Sequence, residues 1–276
     1  MDVHKLLDRA KNPFFEHAEA EYFLAERQGA VVGRIAAITN RLHNEFHHDR
    51  VGFFGFFESI YDHVVADALF DTARDWLRTR GHDVMRGPAS FSTNDECGLL
   101  IEGYETPPTL MMPHNPPYYQ RLLNAAGFAK AKDLLVYRGG YEGYYLPVPE
   151  RLVRGTELLR KRLGLTLRPL NMGDFPAEVE RIKDLYNRCW EKNWGFIPMT
   201  DREIDYLAEQ FKPVVIPDLV PFVERNGEII GFGLALPDLN QVFRRHRSGR
   251  LTPAMLVDLL LSLKLERVRR ARILLL

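Results

Sequence analysis

Apolar and polar positions change period along the chain, and each change predicts an element. The string FLAERQGAVVGRIAAI, residues 23–38, holds two β-prone runs separated by a turn containing Gln28-Gly29. Such a turn supplies the positive φ values of a tight hairpin, so two antiparallel strands are expected. FVERNGEIIGFGLAL, residues 222–236, repeats the phrase with Asn226-Gly227 at the turn. Aligning Glu26 with Glu224 also matches Arg27 with Arg225, Gly29 with Gly227, Gly33 with Gly231 and Ala37 with Ala235, an offset of 198 residues (224 − 26). Solenoid repeats recur every ~20 to 50 residues, so this offset predicts duplication of a whole domain.

Around the first hairpin, VGFFGFFE (51–58) predicts a strand. Residues 62–80, with Val65, Leu69, Trp76 and Leu77 at helical spacing, predict a helix stopped by Gly81. HDVMRG predicts a further strand, followed by a long polar loop. A helix is expected from Pro116-Pro117 to Gly127, and AKDLLVYR (131–138) closes the unit. Around the second hairpin, Leu165–Asn171 reads as a strand, and Asp174 as the cap of a helix with Val179, Ile182, Leu185, Tyr186 and Cys189 on one face. Thr200-Asp201-Arg202-Glu203 reads as a capping box opening a short helix, and RILLL at the end as the next strand.

The second hairpin has a leader beginning 57 residues upstream, at Leu165, whereas only 22 residues precede Phe23. The strand after the first hairpin is followed by about eighty residues of domain, and its counterpart is the last thing present. Both domains are therefore expected to be incomplete. The organisation expected is a first domain over 1–145, a linker helix over 146–164 and a second domain over 165–276.

Composition narrows the class. With 276 residues, 46% hydrophobic and 27% charged, the chain is that of a folded two-domain protein. Cys97 and Cys189 form no CxxC pattern, so neither a disulfide framework nor a zinc ribbon is expected. The start, MDVHKLLDRAKN, has no secretory apolar region, and PAMLVDLLLSLKL is too short to span a bilayer, so a cytoplasmic protein without a membrane span is expected. Net charge is zero, yet residues 241–276 hold nine Lys or Arg against Asp258 and Glu266. Such a basic end attracts phosphate or acidic surfaces, although charge runs commonly just face water.

The order strand, two helices, hairpin, long strand, helix, strand, helix, with an Ala125-to-Phe128 AAGF segment, resembles the GNAT superfamily of acyl-CoA-dependent N-acetyltransferases. The strings NPFFEHAEAEYFLAERQG, RGPASFSTNDECGLLIEGYETPP and MMPHNPPYYQRLLNAAGFAKAKDLLVYR are similar to a twin-domain bacterial branch of it. The resemblance implies an α/β fold of two tandem GNAT-like domains, each a mixed, mostly antiparallel sheet flanked by helices. It implies acyl transfer to the primary amine of a small molecule, acetyl-CoA or another acyl-CoA as co-substrate, no metal, no nucleic acid, and compatibility with a homodimer. Pantetheine in that family pairs with the fourth strand, and pyrophosphate rests on the N-terminus of the following helix. On this basis Phe56, Phe57, Ser59 and Asn115 are candidates for cofactor contact. Asn115 also reads as a helix cap, the favoured alternative.

The chain departs from the family at that helix. No glycine lies between Phe57 and Gly81, and Glu58 and Asp62 put negative charge where phosphate would arrive. Transfer needs a base for the ammonium proton and an acid for the thiolate. Glu58, at the strand end, is the candidate base, against a plain surface glutamate. The family's acidic tyrosine position falls on Leu123, which leaves Tyr119, with Tyr118 beside it, as the substitute, against simple core packing. Asn94 and Glu96, in the loop FSTNDECGLL, are expected with Tyr118 to line the acceptor pocket. Cys97 reads as a buried structural thiol rather than a nucleophile. His43 and His47 have i, i+4 spacing, but HNEFHH reads as a surface loop. Two further classes stay open: an aminoacyl or peptidyl transferase of the twin-domain type, and a degenerate pair kept as a binding module.

Overall fold

The computed structural model describes residues 3–140, 147–246, 248, 250, 252–265 and 267–276. The architecture is α/β, with mixed and antiparallel sheets flanked by helices. It divides into two compact units, residues 1–134 with 189–206, and residues 135–188 with 207–276.

The first unit begins with a short helix α1 (Val3–Leu7) and a 3-10 turn over Pro13–Glu16. Strands β1 (Ala18–Arg27) and β2 (Ala30–Asn40) form the predicted hairpin, with Gln28 and Gly29 at φ 51° and 80°. Helix α2 (Arg41–His47) leads to β3 (Val51–Ser59), antiparallel to β2, and helix α3 (His63–Arg78) leads to β4 (Val84–Arg86), parallel to β3. Helix α4 (Tyr118–Ala125) follows, and the first turn and a half of α7 (Asp201–Phe211), described below, also belongs to this unit.

Strand periodicity explains why this four-stranded sheet is apolar on both faces. Ile35 and Ala37 of β2, with Phe54 of β3, meet Val65, Leu69, Phe70, Ala73 and Leu77 of α3 and Leu122 of α4. Ala36 and Ile38, the alternate residues, with Phe53, pack on Phe14, Ala18, Ala20 and Phe91 on the other side.

The second unit holds α5 (Glu150–Leu163), β5 (Leu165–Arg168), most of α6 (Phe175–Trp190) and the later part of α7 (Asp201–Phe211). Then come β6 (Phe222–Arg225), β7 (Glu228–Phe232), β8 (Leu234–Pro237), α8 (Asn240–Phe243), α9 (Pro253–Lys264) and β9 (Ala271–Leu275). β5, β6 and β7 form one antiparallel sheet, and β8 pairs with β9 in another. A buried acid ties β5 to α6: Glu178, 1% exposed, accepts 2.7 and 3.1 Å bonds from both terminal nitrogens of Arg168 and one of 2.5 Å from Arg181.

The repeated phrase has one geometry in both copies. Asn226 and Gly227 take φ 53° and 83°, matching Gln28 and Gly29, so both turns place two successive residues in the left-handed region. The register shifts between Ala25 and Glu26 in the first hairpin and between Val223 and Glu224 in the second, at aligned residues.

One local expectation fails. HNEFHH is not a loop but the body of α2: the Asn40 side chain caps it by accepting from His43 N, and His43, 1% exposed, packs edge-on against Phe53 at 4.8 Å. Burial pushes the His43 imidazole down to about 4. The 3-10 turn before α6 is capped by Asn171, whose side chain accepts from Gly173 N.

Candidate functional site

The end of β3 gathers several of the residues singled out from the sequence. Between Ala36 opposite Gly55 and Arg34 opposite Glu58, β3 carries one more residue than β2, and Phe56 takes φ 49°. This bulge turns Phe56 toward Tyr22 and Phe91, whose rings lie 6.4 and 4.9 Å away. Phe57 faces the opposite core, stacked on Phe70 at 4.7 Å and edge-on to Tyr119 at 5.1 Å. The two side chains are committed to packing, so only their backbone remains for a cofactor.

At Ser59 the backbone groups alternate. Ile60 donates back to Val32 O in β2, so the preceding N–H points to the side where β4 has ended. There Ser59 N donates to the Tyr119 hydroxyl at 3.1 Å, and the Tyr118 hydroxyl donates to Ser59 O at 2.9 Å. Two consecutive tyrosines at the start of α4 thus stand where a neighbouring strand would pair. Tyr61 stacks on Tyr118 at 4.9 Å. Burial, reinforced by Glu58, pushes the Tyr119 phenol above its ordinary pKa, which keeps it protonated at neutral pH. Because Tyr119 accepts from Ser59, its own proton is available to another acceptor. Glu58 pairs with its cross-strand neighbour Arg34 at 2.7 Å; its side chain is 64% exposed, so the pair adds little stability.

Helix α3 starts beside this strand end, and its first amides are occupied from within the chain. The Asp62 carboxylate accepts from Val64 N at 2.8 Å and Val65 N at 3.4 Å, and also pairs with Arg27 at 2.8 Å. The Arg27 bond holds the Asp62 carboxyl below its usual range. This is the position an anion takes at a helix N-terminus.

A second polar group lies on the other face of the first unit. His17 sits between the Asn40 amide oxygen, 3.1 Å from Nδ1, and Glu203, 3.1 Å from Nε2. The other Glu203 oxygen accepts from Thr200 N at 2.8 Å and from the Thr200 hydroxyl at 3.0 Å, while Glu203 N donates back at 3.3 Å, the predicted capping box. Asp95 accepts from the Ser92 hydroxyl at 3.1 Å. Burial, with Glu203 and Glu96 nearby, pushes the Asp95 carboxyl up to about 7. Burial likewise raises the Cys97 thiol to about 11, the behaviour of a structural cysteine.

No family model matches the chain. Among curated proteins it is 39% identical over 264 residues to the "Bacterial ceramide synthase" of Caulobacter vibrioides, covering 95% of this chain and 67% of that protein. It is 34% identical over 264 residues to "Protein YghO" of Escherichia coli K12, covering 96% of this chain and 66% of that protein. The chain belongs to the family of these two proteins. It spans about two thirds of their length.

Within this family member, the residues named from the sequence fall into two places. Glu58, Ser59, Tyr118 and Tyr119 come together at the end of β3. Asn94 and Glu96 lie in the loop beside Asp95, where the Asn94 backbone donates to the Ser92 hydroxyl and its amide reaches Ile197 O at 3.4 Å. Asn115 does not cap α4, whose N-cap is Pro117 without a side-chain bond. Its amide instead clamps Leu100, accepting from the N–H at 2.8 Å and donating to the carbonyl at 3.1 Å. Sequence reasoning missed His17 and Asn40, and saw Asp95 only as a member of the acceptor loop and Glu203 only as a cap. One signal was available: the hairpin register sets Asn40 opposite Ala18, directly beside His17.

Proposed function

We propose that this chain serves N-acyl transfer: an acyl group passes from a CoA thioester to the primary amine of a long-chain, sphingoid-type acceptor. The observation that carries this is the 39% identity over 95% of the chain to a protein named for ceramide synthesis, since a ceramide is the amide of such an amine. In the proposed reaction the amine nitrogen attacks the thioester carbonyl, the C–N bond forms and the C–S bond breaks. The ammonium proton goes to a base, and the thiolate leaves as a thiol after taking a proton from an acid. Glu58 is assigned as the base and Tyr119 as the acid, supported by the free phenol proton of Tyr119 beside the end of β3. Phe56, Phe57, Ser59 and Asn115 are assigned to the acyl-CoA, and Tyr118, Asn94 and Glu96 to the acceptor.

The same proposal holds that 1–145 and 165–276 are GNAT-like domains joined by 146–164, and that the protein works in the cytoplasm, compatible with a homodimer, without nucleic acid or metal. The identical turn and bulge of the two hairpins support the pairing. One observation favours a second reading for the first unit, a non-catalytic binding module: Asp62 already fills the start of α3.

Incubating the purified chain with a long-chain acyl-CoA and sphinganine tests the reading. Free thiol and the new amide, read by mass spectrometry, are expected in equal amounts. Tyr119→Phe is expected to cut the rate by about a hundredfold. Amide formation that survives Glu58→Gln and Tyr119→Phe together would remove the first unit from the chemistry.

A further inference from the structure

Residues 241–276 hold nine Lys or Arg against two acids, and the proposed transfer reaction uses none of them. Three of the nine line one open cavity of about 400 Å³, together with Gln241: Arg244 and Arg245, which follow α8, and Arg267, which follows α9. Among the described residues no carboxylate lines it. Two acids of the same unit are committed elsewhere. Asp238, fully buried, pairs with Arg270 at 3.3 Å and acts on Arg244 only through space. Asp258 is taken by Arg245 and by His246, the latter at 2.9 Å.

The cavity wall is built rather than loose. Arg245 donates from Nε to Asp258 at 3.0 Å, and from Nη2 to Asp258 at 3.1 Å and to the Ser262 hydroxyl at 2.8 Å. The His246 bond, with that of Arg245, holds the Asp258 carboxyl below its usual range, so the anion that aims Arg245 persists. Ser262 is fully buried, and its carbonyl accepts from Arg267 N at 2.8 Å, so one residue fixes both sides of the cavity. The Gln241 amide is fixed too, donating to Asp238 O at 3.2 Å and accepting from Arg269 N at 3.4 Å. These bonds consume three of the five N–H groups of Arg245 and leave both on Nη1. Among the described residues the guanidinium groups of Arg244 and Arg267 make no ion pair, so donors and positive charge converge on the cavity unmatched.

Like charges gathered around a cavity repel, and an anion between them reverses the sign of the interaction. A carboxylate offers two coplanar oxygens. A terminal phosphate offers three, with about two negative charges at neutral pH, which suits guanidinium groups arriving from two separate segments. The volume lies within the ~300 to 1,000 Å³ of small-molecule sites and leaves room for the group that carries the phosphate. We propose that this cavity is a binding site for the phosphate group of a small soluble molecule, with Arg244, Arg245 and Arg267 as its donors. The inference concerns the second unit alone and does not rest on the transfer reading.

The experiment is calorimetric titration of the 276-residue chain with inorganic pyrophosphate and with glycerol 3-phosphate at low salt. Saturable binding that weakens as salt is added is expected. Arg244→Gln and Arg267→Gln should each weaken it about tenfold, and together about a hundredfold. Both side chains are exposed and outside the Asp258 contacts, so thermal unfolding should be unchanged and the loss would not report misfolding. Arg225→Gln, at the exposed end of β6 in the same unit, should leave binding as it was. No saturable binding, binding that survives the paired substitution, or an equal loss in Arg225→Gln would overturn the proposal. Phosphatidylglycerol vesicles test the other source of the same chemistry: co-sedimentation with them and no binding of either soluble probe would overturn the assignment to a soluble ligand. Amide formation is a separate readout, so the two readings fail separately.

Discussion

Asp95→Asn isolates a pH dependence that the polar group on the second face of the first unit predicts. The Asp95 carboxyl is held near 7 by burial beside Glu203 and Glu96, against an ordinary 3.8 in the unfolded chain. Between these values the folded protein keeps a proton that the unfolded chain has released, so stability falls as pH rises through the window. Below it both states hold the proton, and above it neither does. Three pH units at about 1.4 kcal/mol each give an upper bound of about 4 kcal/mol lost between pH ~4 and pH ~7. Asparagine binds no proton and keeps an oxygen for the Ser92 hydroxyl. His43 acts in the opposite sense: burial lowers its pKa to about 4, so the unfolded chain binds the proton first and stability rises with pH up to about 6.5. His43 is common to both proteins and cancels in their difference. Urea unfolding of both at several pH values is the assay. The variant should gain about 2 to 4 kcal/mol over the parent by pH ~8 relative to pH ~4. A difference independent of pH would refute the burial argument for Asp95.

Other perturbations follow from single contacts. Glu178→Ala should cost about 3 kcal/mol in denaturant unfolding, because Arg168 and Arg181 lose a shared acid that is almost wholly buried. Gly55→Ala should cost about 2 kcal/mol or more, since its Cβ would stand 2.0 Å from Ala89 O, a backbone atom that must move. Tyr119→Phe should lower stability by about 1 kcal/mol through the unmet Ser59 N–H, visible in the unfolding midpoint apart from any rate effect. Asp62→Ala should cost about 1 kcal/mol as α3 loses its cap, and should not create acyl-CoA binding if α3 has no phosphate role.

Both hairpins were legible in the sequence because their signal is local. Gln28-Gly29 and Asn226-Gly227 demand positive φ, and the flanking residues are β-prone. The capping box at Thr200 and Glu203 was legible for the same reason. Helix α2 was not, because its polar string HNEFHH conceals a core histidine held by Phe53 and capped by Asn40. In the candidate site, Glu58 and Tyr119 were singled out because the resemblance places a strand end and a helix start in that order. The His17, Asn40 and Glu203 contact joins residues far apart in the chain, through a cap whose second carboxylate oxygen is spoken for by another element. Sequence spacing carries no trace of that.

The most direct test of the central claim is stoichiometric amide formation from a long-chain acyl-CoA and sphinganine by the purified chain. The account predicts one free thiol for each new amide, with the rate falling about a hundredfold in Tyr119→Phe. Thiol release without amide, or no turnover of any long-chain amine offered, would contradict it.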